Sequence, residues 1–495
     1  MRNRIFGLET EYGLLIHEDA TIRSPSWLTR HLIDHVFHTT RNGIIDLHYR
    51  GHDEPPGNGG FLTNAGRLYV DMGHLEFATP ECHTLSDLVA FSRAGDQILQ
   101  TALQELGLED HVSFIKNNID HETNATFGSH ENYLVTRNFP FNLEGLTKLI
   151  PFLVTRQIFT GAGRIGRAQS IDGWIPIDSL HPHITAAARP LIPFQISQRA
   201  DHIVTDFFEW IQHSRAIINT RDEPLADPNQ FRRIHLLLGD SNMSEIATAL
   251  KFGTTGLMLQ LIEDQHIPEG LDIDEPVQIL RDISCDPERA WVVTLASGKT
   301  MSAVDIQEQY LQAAQKYCRG QDEETDWVLE QWEGVLTDLR GEYTRLVGRV
   351  DWASKLWLLD SFRKEEQVGW DDPWLKSLDL EYHNIYRDKG LYFGLEDEGQ
   401  AIRMVTDPAV DIAMHHPPRN TRAFGRGELV RHLVNQSSHD RPLHSTSSTR
   451  DLDYVIHWSA FQVRGHPPFR MPNPFKTYTQ AVREHLSDCP TDVSG

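Results

Sequence analysis

Hydrophobic and polar residues follow two different spacings along this chain. Residues 4–16 and 61–77 alternate with a period close to two, which predicts a strand in the first segment and a strand–turn–strand pair in the second. Residues 85–106 and 244–263 place large apolar side chains on one helical face. The pattern therefore predicts a protein that combines strands with helices.

The same spacings extend to the rest of the chain and indicate its organisation. They predict short strands at 111–116, 132–136 and 234–238, and helical structure at 26–38 and 301–390. Two polar segments rich in Gly and Pro, 46–60 and 167–193, are typical of exposed loops. A further polar segment at 415–422 predicts a large domain of residues 1–420 and a small C-terminal domain of residues 421–495.

Charged side chains occupy one face of the predicted strands. Successive side chains of a strand point to opposite faces, so Glu9 and Glu11 lie together with apolar residues on the reverse. In the next strand pair, Arg67, Tyr69 and Asp71 share one face, and the apolar residues between them face the other way. The spacing predicts that arginine, tyrosine and aspartate are displayed on one surface.

Two more carboxylates, Glu76 and Glu81, follow soon after. Such a group suits Mg²⁺, which takes oxygen ligands and is commonly held by carboxylates together with substrate phosphates. Arg67 could pair with a phosphate through its planar guanidinium, and Asp71 could act as a general base or a nucleophile. The alternative is a face of the sheet that is simply polar and solvated. The spacing alone leaves both interpretations open.

Composition argues against several classes of partner. The 495 residues include 46 Lys and Arg against 70 Asp and Glu, which gives a formal net charge of −24. An anionic surface binds nucleic acid and acidic lipid poorly, so we expect neither partner. No apolar run has the length of a signal peptide core or a membrane span, and the four cysteines are widely spaced. We therefore expect a cytoplasmic protein that is not inserted in a membrane.

Other candidate motifs are weaker. His130 and His235 lie near predicted strands, but Mg²⁺ prefers oxygen, so neither histidine by itself indicates a metal site. Residues 161–166 match GxGxxG, yet no predicted helix follows them, which argues against dinucleotide binding. The pattern GxxxxGK[ST] is absent, so any ATP is held without a Walker loop.

Several long motifs resemble the family of Pup ligases (PafA) and Pup deamidases or depupylases (Dop). The resemblance runs in order from Arg4 to about residue 390 and resumes at Thr421, so it covers most of the chain. The motifs include RIFGLETEYG, NAGRLYVDMGHLEFATPE, KNNID, GSHENYL, IINTRDEPLAD, RRIHLLLGDSNMSE and TRAFGRGE. So many long motifs in a fixed order are highly specific.

The resemblance implies an α+β fold. Its large N-terminal domain would be related to glutamine synthetase, with helices packed on a curved antiparallel sheet, and a small C-terminal domain would help to close the nucleotide site. The resemblance also implies ATP and Mg²⁺ as cofactors. It implies Pup, or a Pup-like protein tag, and pupylated proteins as partners.

The resemblance also implies roles for individual residues. Asp71 would be the catalytic aspartate. The residues that would belong to the metal site are Glu9, Tyr69, Glu76, His130 and His235. The residues that would contact ATP are Arg67, Thr79, Arg221, Arg232, Arg426 and Trp458.

Two activities occur in the family that the chain resembles. A ligase would phosphorylate the γ-carboxylate of the C-terminal Glu of Pup, and a substrate lysine would displace the phosphate to form an isopeptide bond. A deamidase/depupylase would hydrolyse the C-terminal Gln amide of Pup, or the Pup–lysine bond. ATP would be required in the site but would not be consumed stoichiometrically. A non-catalytic Pup-binding adaptor is a third interpretation, against which the intact Glu9, Asp71 and Glu76 argue.

Three features favour the deamidase/depupylase. The spacing from Asp71 to Glu76 is one residue shorter than is typical of the ligases. Residues 161–166 and 388–392 are also more similar to the deamidases. The segment before Phe61 resembles a shortened form of a flexible loop beside the deamidase active site.

Two features do not fit that prediction. Ser241 to Glu245, SNMSE, is more similar to the ligases, and the segment before Phe61 is short for a deamidase. Leu75 replaces the Pro that is usual in both branches, which affects the expected turn. We predict a deamidase/depupylase, with the ligase as the alternative.

Overall fold

The computed structural model describes the chain apart from twelve segments. These are residues 1–3, 18–21, 23, 47–56, 122–124, 168–169, 172–174, 177–191, 210–214, 437–453, 464–466 and 489–495. Most of the predicted loops 46–60 and 167–193, and most of the segment before Phe61, lie outside the described residues.

The described residues form nineteen strands. The strands are β1 (Phe6–Ile16), β2 (Gly43–Ile45), β3 (Gly59–Leu62), β4 (Arg67–Asp71), β5 (His74–Ala78), β6 (Val112–Ile115), β7 (Ser129–Thr136), β8 (Arg164–Ile165), β9 (Ser170–Ile171), β10 (Ile175–Pro176), β11 (Phe194–Gln195), β12 (Thr205–Phe208), β13 (Ala216–Asn219), β14 (Phe231–Leu236), β15 (Val292–Thr294), β16 (Thr300–Ser302), β17 (Tyr454–Ile456), β18 (Ala460–Val463) and β19 (Phe469–Arg470).

The helices confirm the longer helical predictions. They are α1 (Pro25–Asp34), α2 (Leu85–Glu105), α3 (Leu143–Thr147), α4 (Ile150–Thr155), α5 (Gln157–Thr160), α6 (Glu245–Glu263), α7 (Pro276–Cys285), α8 (Ala303–Cys318), α9 (Glu323–Leu339), α10 (Asp351–Glu366), α11 (Pro373–Glu381), α12 (Leu391–Asp397), α13 (Asp407–His415), α14 (Ala423–Gln436) and α15 (Thr479–Asp488). A π-helical turn, His35–Thr39, follows α1.

Two compact units divide the chain. Unit 1 comprises Met1–Arg4, Ile115–Asp222 and Ile234–Met404, and unit 2 comprises Ile5–Phe114, Glu223–Arg233 and Val405–Gly495. The boundary predicted between residues 420 and 421 stays a prediction.

Unit 2 contains antiparallel strands in the order β2-β3-β4-β5-β1. Helix α2 covers one face of these strands and begins at Thr84, whose hydroxyl accepts the N–H of Asp87 at 3.1 Å. A Cβ on Gly95 of α2 would lie 2.3 Å from the Phe77 ring, so the helix and β5 are in close contact. The apolar face of the strands therefore packs on α2, and the charged residues occupy the opposite face.

The C-terminal helices and strands of unit 2 pack on β2 and β3. Helices α14 and α15 and strands β17 to β19 share a hydrophobic core with β2 and β3. The buried members of this core are Ile44, Phe61, Leu429, Val430, Ile456, Phe461, Met471 and Val482. The described residues of the segment from Ala423 onward thus pack on β2 and β3.

Unit 1 contains strands in the order β12-β13-β14-β7, with β14 contributing from Ile234 onward. Strands β12 and β13 are parallel, which departs from the antiparallel sheet that the family resemblance implies. Helix α6 is buried from Glu245 to Ile262, and α5, α8 and α9 pack around it. Although α6 is buried over most of its length, no helix among the described residues is long and apolar enough to cross a membrane.

Candidate active site

The register of β1, β5 and β4 aligns charged side chains in rows across one face of unit 2. Directly opposite residues of antiparallel strands lie on the same face. Glu76 of β5 lies opposite Glu11 of β1 and opposite Tyr69 of β4, so these three residues form one row. Glu9 and Arg67 lie opposite the same residue of β5 and form the next row. The predicted pairing of residues on one face is confirmed, and the register joins both sets into a single surface.

Three acidic residues of this surface, Glu11, Asp71 and Glu76, form what we call the carboxylate cluster. Each offers one oxygen atom, and these atoms lie within 4.8 Å of one another. Glu76 is buried, and its carboxylate accepts a hydrogen bond from the Tyr69 hydroxyl. Burial raises the pKa of Glu76, and the charges of Glu9, Glu11 and Asp71 raise it further. The cluster therefore favours uptake of a proton or a cation.

The carboxylate cluster fits a hard divalent cation. Mg²⁺ binds oxygen ligands, commonly one or two carboxylates together with phosphate oxygens. A cation among Glu11, Asp71 and Glu76 would compensate the like-charge repulsion that raises the pKa of Glu76. Glu11 and Glu76 would hold Mg²⁺ beside Asp71, the candidate catalytic aspartate.

Arg67 provides a buried positive charge on the same face. Its guanidinium carbon lies 4.1 Å from the centroid of the Tyr69 ring, in a cation–π arrangement. Its Nη2 atom lies 4.0 Å from Oδ2 of Asp46, which is also buried. An arginine held between an aromatic ring and a carboxylate is suited to a nucleotide phosphate. The predicted contact between Arg67 and ATP stays a prediction.

A two-residue turn places Asp71 at the end of β4. Met72 and Gly73 connect β4 to β5 with φ angles of 45° and 95°, and Asp71 lies opposite His74. Positive φ at both positions is typical of tight β-hairpin turns. Leu75, which replaces the usual Pro, is buried and pairs with Val70 in the ladder, so the hairpin remains regular.

Glu81 does not join the carboxylate cluster, contrary to the grouping that the sequence indicated. It is buried, and its carboxylate binds the guanidinium groups of Arg422 and Arg426. Burial by itself would raise the pKa of Glu81, but the charges and hydrogen bonds of Arg426 and Arg422 lower it to about 2. Glu81 is therefore ionised at neutral pH and connects the end of β5 to α14.

Arg426 donates to protein oxygens through all five of its guanidinium N–H groups. Two bonds reach the Ala65 carbonyl, two reach the Glu81 carboxylate, and one reaches the Trp458 carbonyl. The guanidinium carbon also lies 4.7 Å from the Trp458 ring centroid and 5.3 Å from that of Phe61. The predicted contact of Arg426 with ATP is untested, and in this arrangement the guanidinium supports Trp458.

The remaining nucleotide candidates of unit 2 are Thr79, Trp458 and Arg232. The hydroxyl of Thr79, directly after β5, accepts the backbone N–H of Leu8 at 3.0 Å. The Trp458 ring contacts Phe61 edge to face, with 5.2 Å between the centroids. Arg232 is half-buried on β14. Their contacts with ATP stay predictions.

Unit 1 carries the other predicted residues. His130 of β7 and His235 of β14 contact each other edge to face, with ring centroids 5.3 Å apart. The side-chain amide of Asn219 lies 3.1 Å from Nδ1 of His235. Arg221 is exposed, and its backbone N–H binds the Asn219 side chain. The metal-site and phosphate roles of these residues stay predictions.

Sequence reasoning misses three residues on or beside the charged face as site residues. The alternation of β1 predicts Glu11 on this face, but only the register shows that Glu11 lies opposite Glu76. His74 contacts Glu11, and Arg233 lies 3.7 Å from Glu9. The alternation of β1 was a sufficient signal for Glu11, whereas His74 and Arg233 are identified only by the tertiary contacts.

Comparison with protein families and curated proteins gives consistent matches. The family model described as "Pup-ligase protein" matches residues 4–441. The Pup–protein ligase of Acidimicrobium ferrooxidans is 36% identical over 447 residues, which cover 87% of this chain and 89% of the relative. The depupylase of Acidothermus cellulolyticus is 40% identical over 377 residues, covering 74% of this chain and 71% of the relative.

Two solved structures share the fold. The complex of the prokaryotic ubiquitin-like protein Pup with its ligase PafA matches with a TM-score of 0.79 and 31% identity, covering 98% of this chain and 91% of the PafA chain. PafA in complex with ADP matches with a TM-score of 0.73 and 31% identity, covering 96% of both chains. The predicted α+β, glutamine-synthetase-like fold is confirmed.

Proposed function

Because the chain belongs to the Pup-ligase family, we propose that it is an ATP- and Mg²⁺-dependent enzyme acting on the side-chain carboxyl group at the C-terminus of Pup or a Pup-like tag. The solved relatives support both ligands, since one is a complex with Pup and another a complex with ADP. The carboxylate cluster beside Arg67 supports Mg²⁺ and a nucleotide phosphate in this chain. The cytoplasmic location stays a prediction.

Within this family we favour the hydrolytic direction. The observation that carries it is the two-residue turn between Asp71 and His74, which gives the short Asp71–Glu76 spacing associated with the deamidase branch. The enzyme would convert the C-terminal Gln of Pup to Glu with release of ammonia, and would cleave the Pup–lysine isopeptide bond with release of the lysine amine. In both reactions a C–N bond is broken and water supplies the new C–O bond.

The residues of unit 2 have distinct roles in this proposal. Asp71 lies on the half-buried rim of the carboxylate cluster and would act on the carbonyl carbon, as a nucleophile or by activating water. Glu11 and Glu76 would hold Mg²⁺, and Arg67 would bind a phosphate of ATP. When bound, Mg²⁺ and ATP supply positive charge and orient the tag's carboxyl group. The Tyr69 hydroxyl bond keeps the Glu76 carboxylate in one orientation.

A ligase is the second candidate, and specific observations favour it. The segment Ser241–Glu245 is more similar to the ligases, and several similar relatives are named Pup–protein ligase. In that direction the γ-carboxylate of a C-terminal Glu would be phosphorylated, and a lysine amine would replace the phosphate. The same charged face would serve both reactions.

A two-substrate experiment tests the direction. The purified protein is incubated with ATP, Mg²⁺ and Pup ending in Gln, and ammonia and the amide-to-acid mass change are measured. Pup ending in Glu is then offered together with a lysine-bearing acceptor. We expect deamidation without conjugates, and conjugates without deamidation would establish the ligase instead.

A variant pair tests the role of Asp71. Asp71→Asn should abolish turnover and leave the melting temperature close to that of the wild type, because Asp71 is only half-buried. Asp96→Asn is the matched control, since Asp96 is a buried carboxylate that accepts the Tyr12 hydroxyl at 2.7 Å on the reverse face. It should retain turnover. Activity of Asp71→Asn equal to that of the wild type would refute the assigned role.

A further inference from the structure

We propose that His74 is a positioning residue for the metal-binding carboxylate of Glu11. His74 is the first residue of β5 and lies directly opposite Asp71 in the ladder. Its Nδ1 atom lies 2.9 Å from Oε2 of Glu11 on β1. This histidine of β5 therefore pairs with the candidate catalytic aspartate of β4 in the ladder and contacts a cluster carboxylate on β1.

The contact identifies the nitrogen of His74 that donates a hydrogen bond to Glu11. Glu11 is an acceptor when ionised, so Nδ1 carries the hydrogen in this contact. The bond holds one oxygen of Glu11 and thereby sets the rotation of the whole carboxylate group. Glu11 in turn faces Glu76 across the β1–β5 pair. A carboxylate that could rotate freely would present its oxygens to a cation only part of the time.

The side chains of His74 and Glu11 differ in their exposure to solvent. The His74 side chain is 32% exposed, whereas the Glu11 side chain is 12% exposed. His74 thus contacts Glu11 from the solvent side of the cluster, and Glu76 lies buried beside it. Hydrogen-bond partners of metal ligands in this arrangement commonly change metal affinity by about 10–100-fold when they are removed.

This inference rests on the proposed Mg²⁺ site of the carboxylate cluster, and direct cation binding tests both. Mn²⁺ serves as the probe for Mg²⁺, and its binding to the full-length protein without nucleotide is measured by electron paramagnetic resonance. We expect His74→Ala to weaken Mn²⁺ binding by about 10–100-fold. Glu76→Gln, which removes a cluster carboxylate, should weaken it at least as much.

Two further variants distinguish positioning from general stabilisation of the hairpin. In His74→Asn the amide nitrogen is the same number of bonds from the backbone as Nδ1, so this variant should bind Mn²⁺ within a few-fold of the wild type. In His74→Gln the amide lies one carbon farther away, and binding should fall as in His74→Ala. Met72→Ala is the control, because the Met72 side chain is 65% exposed in the same turn. It should bind Mn²⁺ as the wild type does.

The outcomes separate the two proposals. If the wild type binds Mn²⁺ and His74→Ala binds it equally well, the role of His74 is refuted and the metal site stands. If His74→Asn loses as much affinity as His74→Ala, the Nδ1 contact is not the cause, and the positioning role is also refuted. If the wild type does not bind Mn²⁺, or if Glu76→Gln binds it as tightly as the wild type, the proposed metal site fails together with the inference.

Discussion

Glu81 and Arg426 form a two-pronged ion pair between residues 345 positions apart in the chain, and both side chains are buried. Nη1 of Arg426 donates to Oε1 of Glu81 at 3.0 Å, and Nη2 donates to Oε2. The pair joins α14 to the end of β5 and places Arg426 against Trp458. It links the C-terminal segment to the strands that carry the candidate active site.

We expect removal of Arg426 to destabilise unit 2. Arg426→Met should lower the free energy of unfolding by about 3 kcal/mol, the low end of the range for a broken buried pair, because Arg422 still contacts Glu81. Denaturant titration measures the change. Arg431→Met is the control, since it breaks the more exposed Arg431–Glu428 pair of the same helix, which should cost less than about 1 kcal/mol. Equal effects of the two variants would contradict the prediction.

The same ion pair predicts an acid-dependent loss of stability. The folded-state pKa of Glu81 is about 2, below the value of about 4.3 for an unfolded glutamate. The stabilisation is therefore complete above about pH 4.3 and is lost as the pH falls towards 2; it amounts to about 3 kcal/mol. Wild-type protein should lose more stability in this window than Glu81→Gln. Identical pH dependence of the two proteins would show that Glu81 is not the group responsible.

We expect Glu76 to contribute to Mg²⁺ binding but to lower the free energy of unfolding of the metal-free protein. Burial and the neighbouring carboxylates raise its pKa, so Glu76→Gln removes a carboxyl group whose ionisation is costly. We expect this variant to raise the unfolding free energy by about 1 kcal/mol without metal. We also expect it to lose the increase in melting temperature that Mg²⁺ gives the wild type.

The reverse face of β1 supplies the control for that prediction. Asp96→Asn also converts a buried carboxylate to an amide, but Asp96 binds Tyr12 away from the carboxylate cluster. It should keep the Mg²⁺ effect on melting temperature. A Glu76→Gln variant that still gains stability from Mg²⁺ would count against the proposed metal site.

The β4–β5 turn contains a residue that fits its backbone conformation poorly. Met72 has a φ of 45°, a region that Asn tolerates better than Met. Met72→Asn should raise the free energy of unfolding by about 0.5–1 kcal/mol, because Asn-Gly is a favoured pair for such turns. Met72→Ala removes the same exposed side chain without this preference and should give no gain. A gain from alanine alone would assign the effect to the side chain and not to the backbone.

Much of unit 2 could be predicted from local spacing. The alternation in residues 4–16 and 61–77 predicted β1, β4 and β5 and the sides on which their residues lie, because a strand has a fixed period. The helical spacing of residues 85–106 likewise predicted α2, which packs on the apolar side. The family resemblance then identified Asp71 and Glu76 as candidates within that face.

Only the tertiary structure decided which charged residues meet. Alternation gives the side of a strand but not its register, and it is the register that places Glu11, Glu76 and Tyr69 in one row. The tertiary structure also brings His74 to Glu11. Glu81 lies outside the carboxylate cluster and binds Arg426. The sequence by itself thus determined a polar strand face with candidate chemistry. The cation site depends on contacts between residues distant in the chain, because the strength of an electrostatic interaction depends on how far apart the charges lie in space.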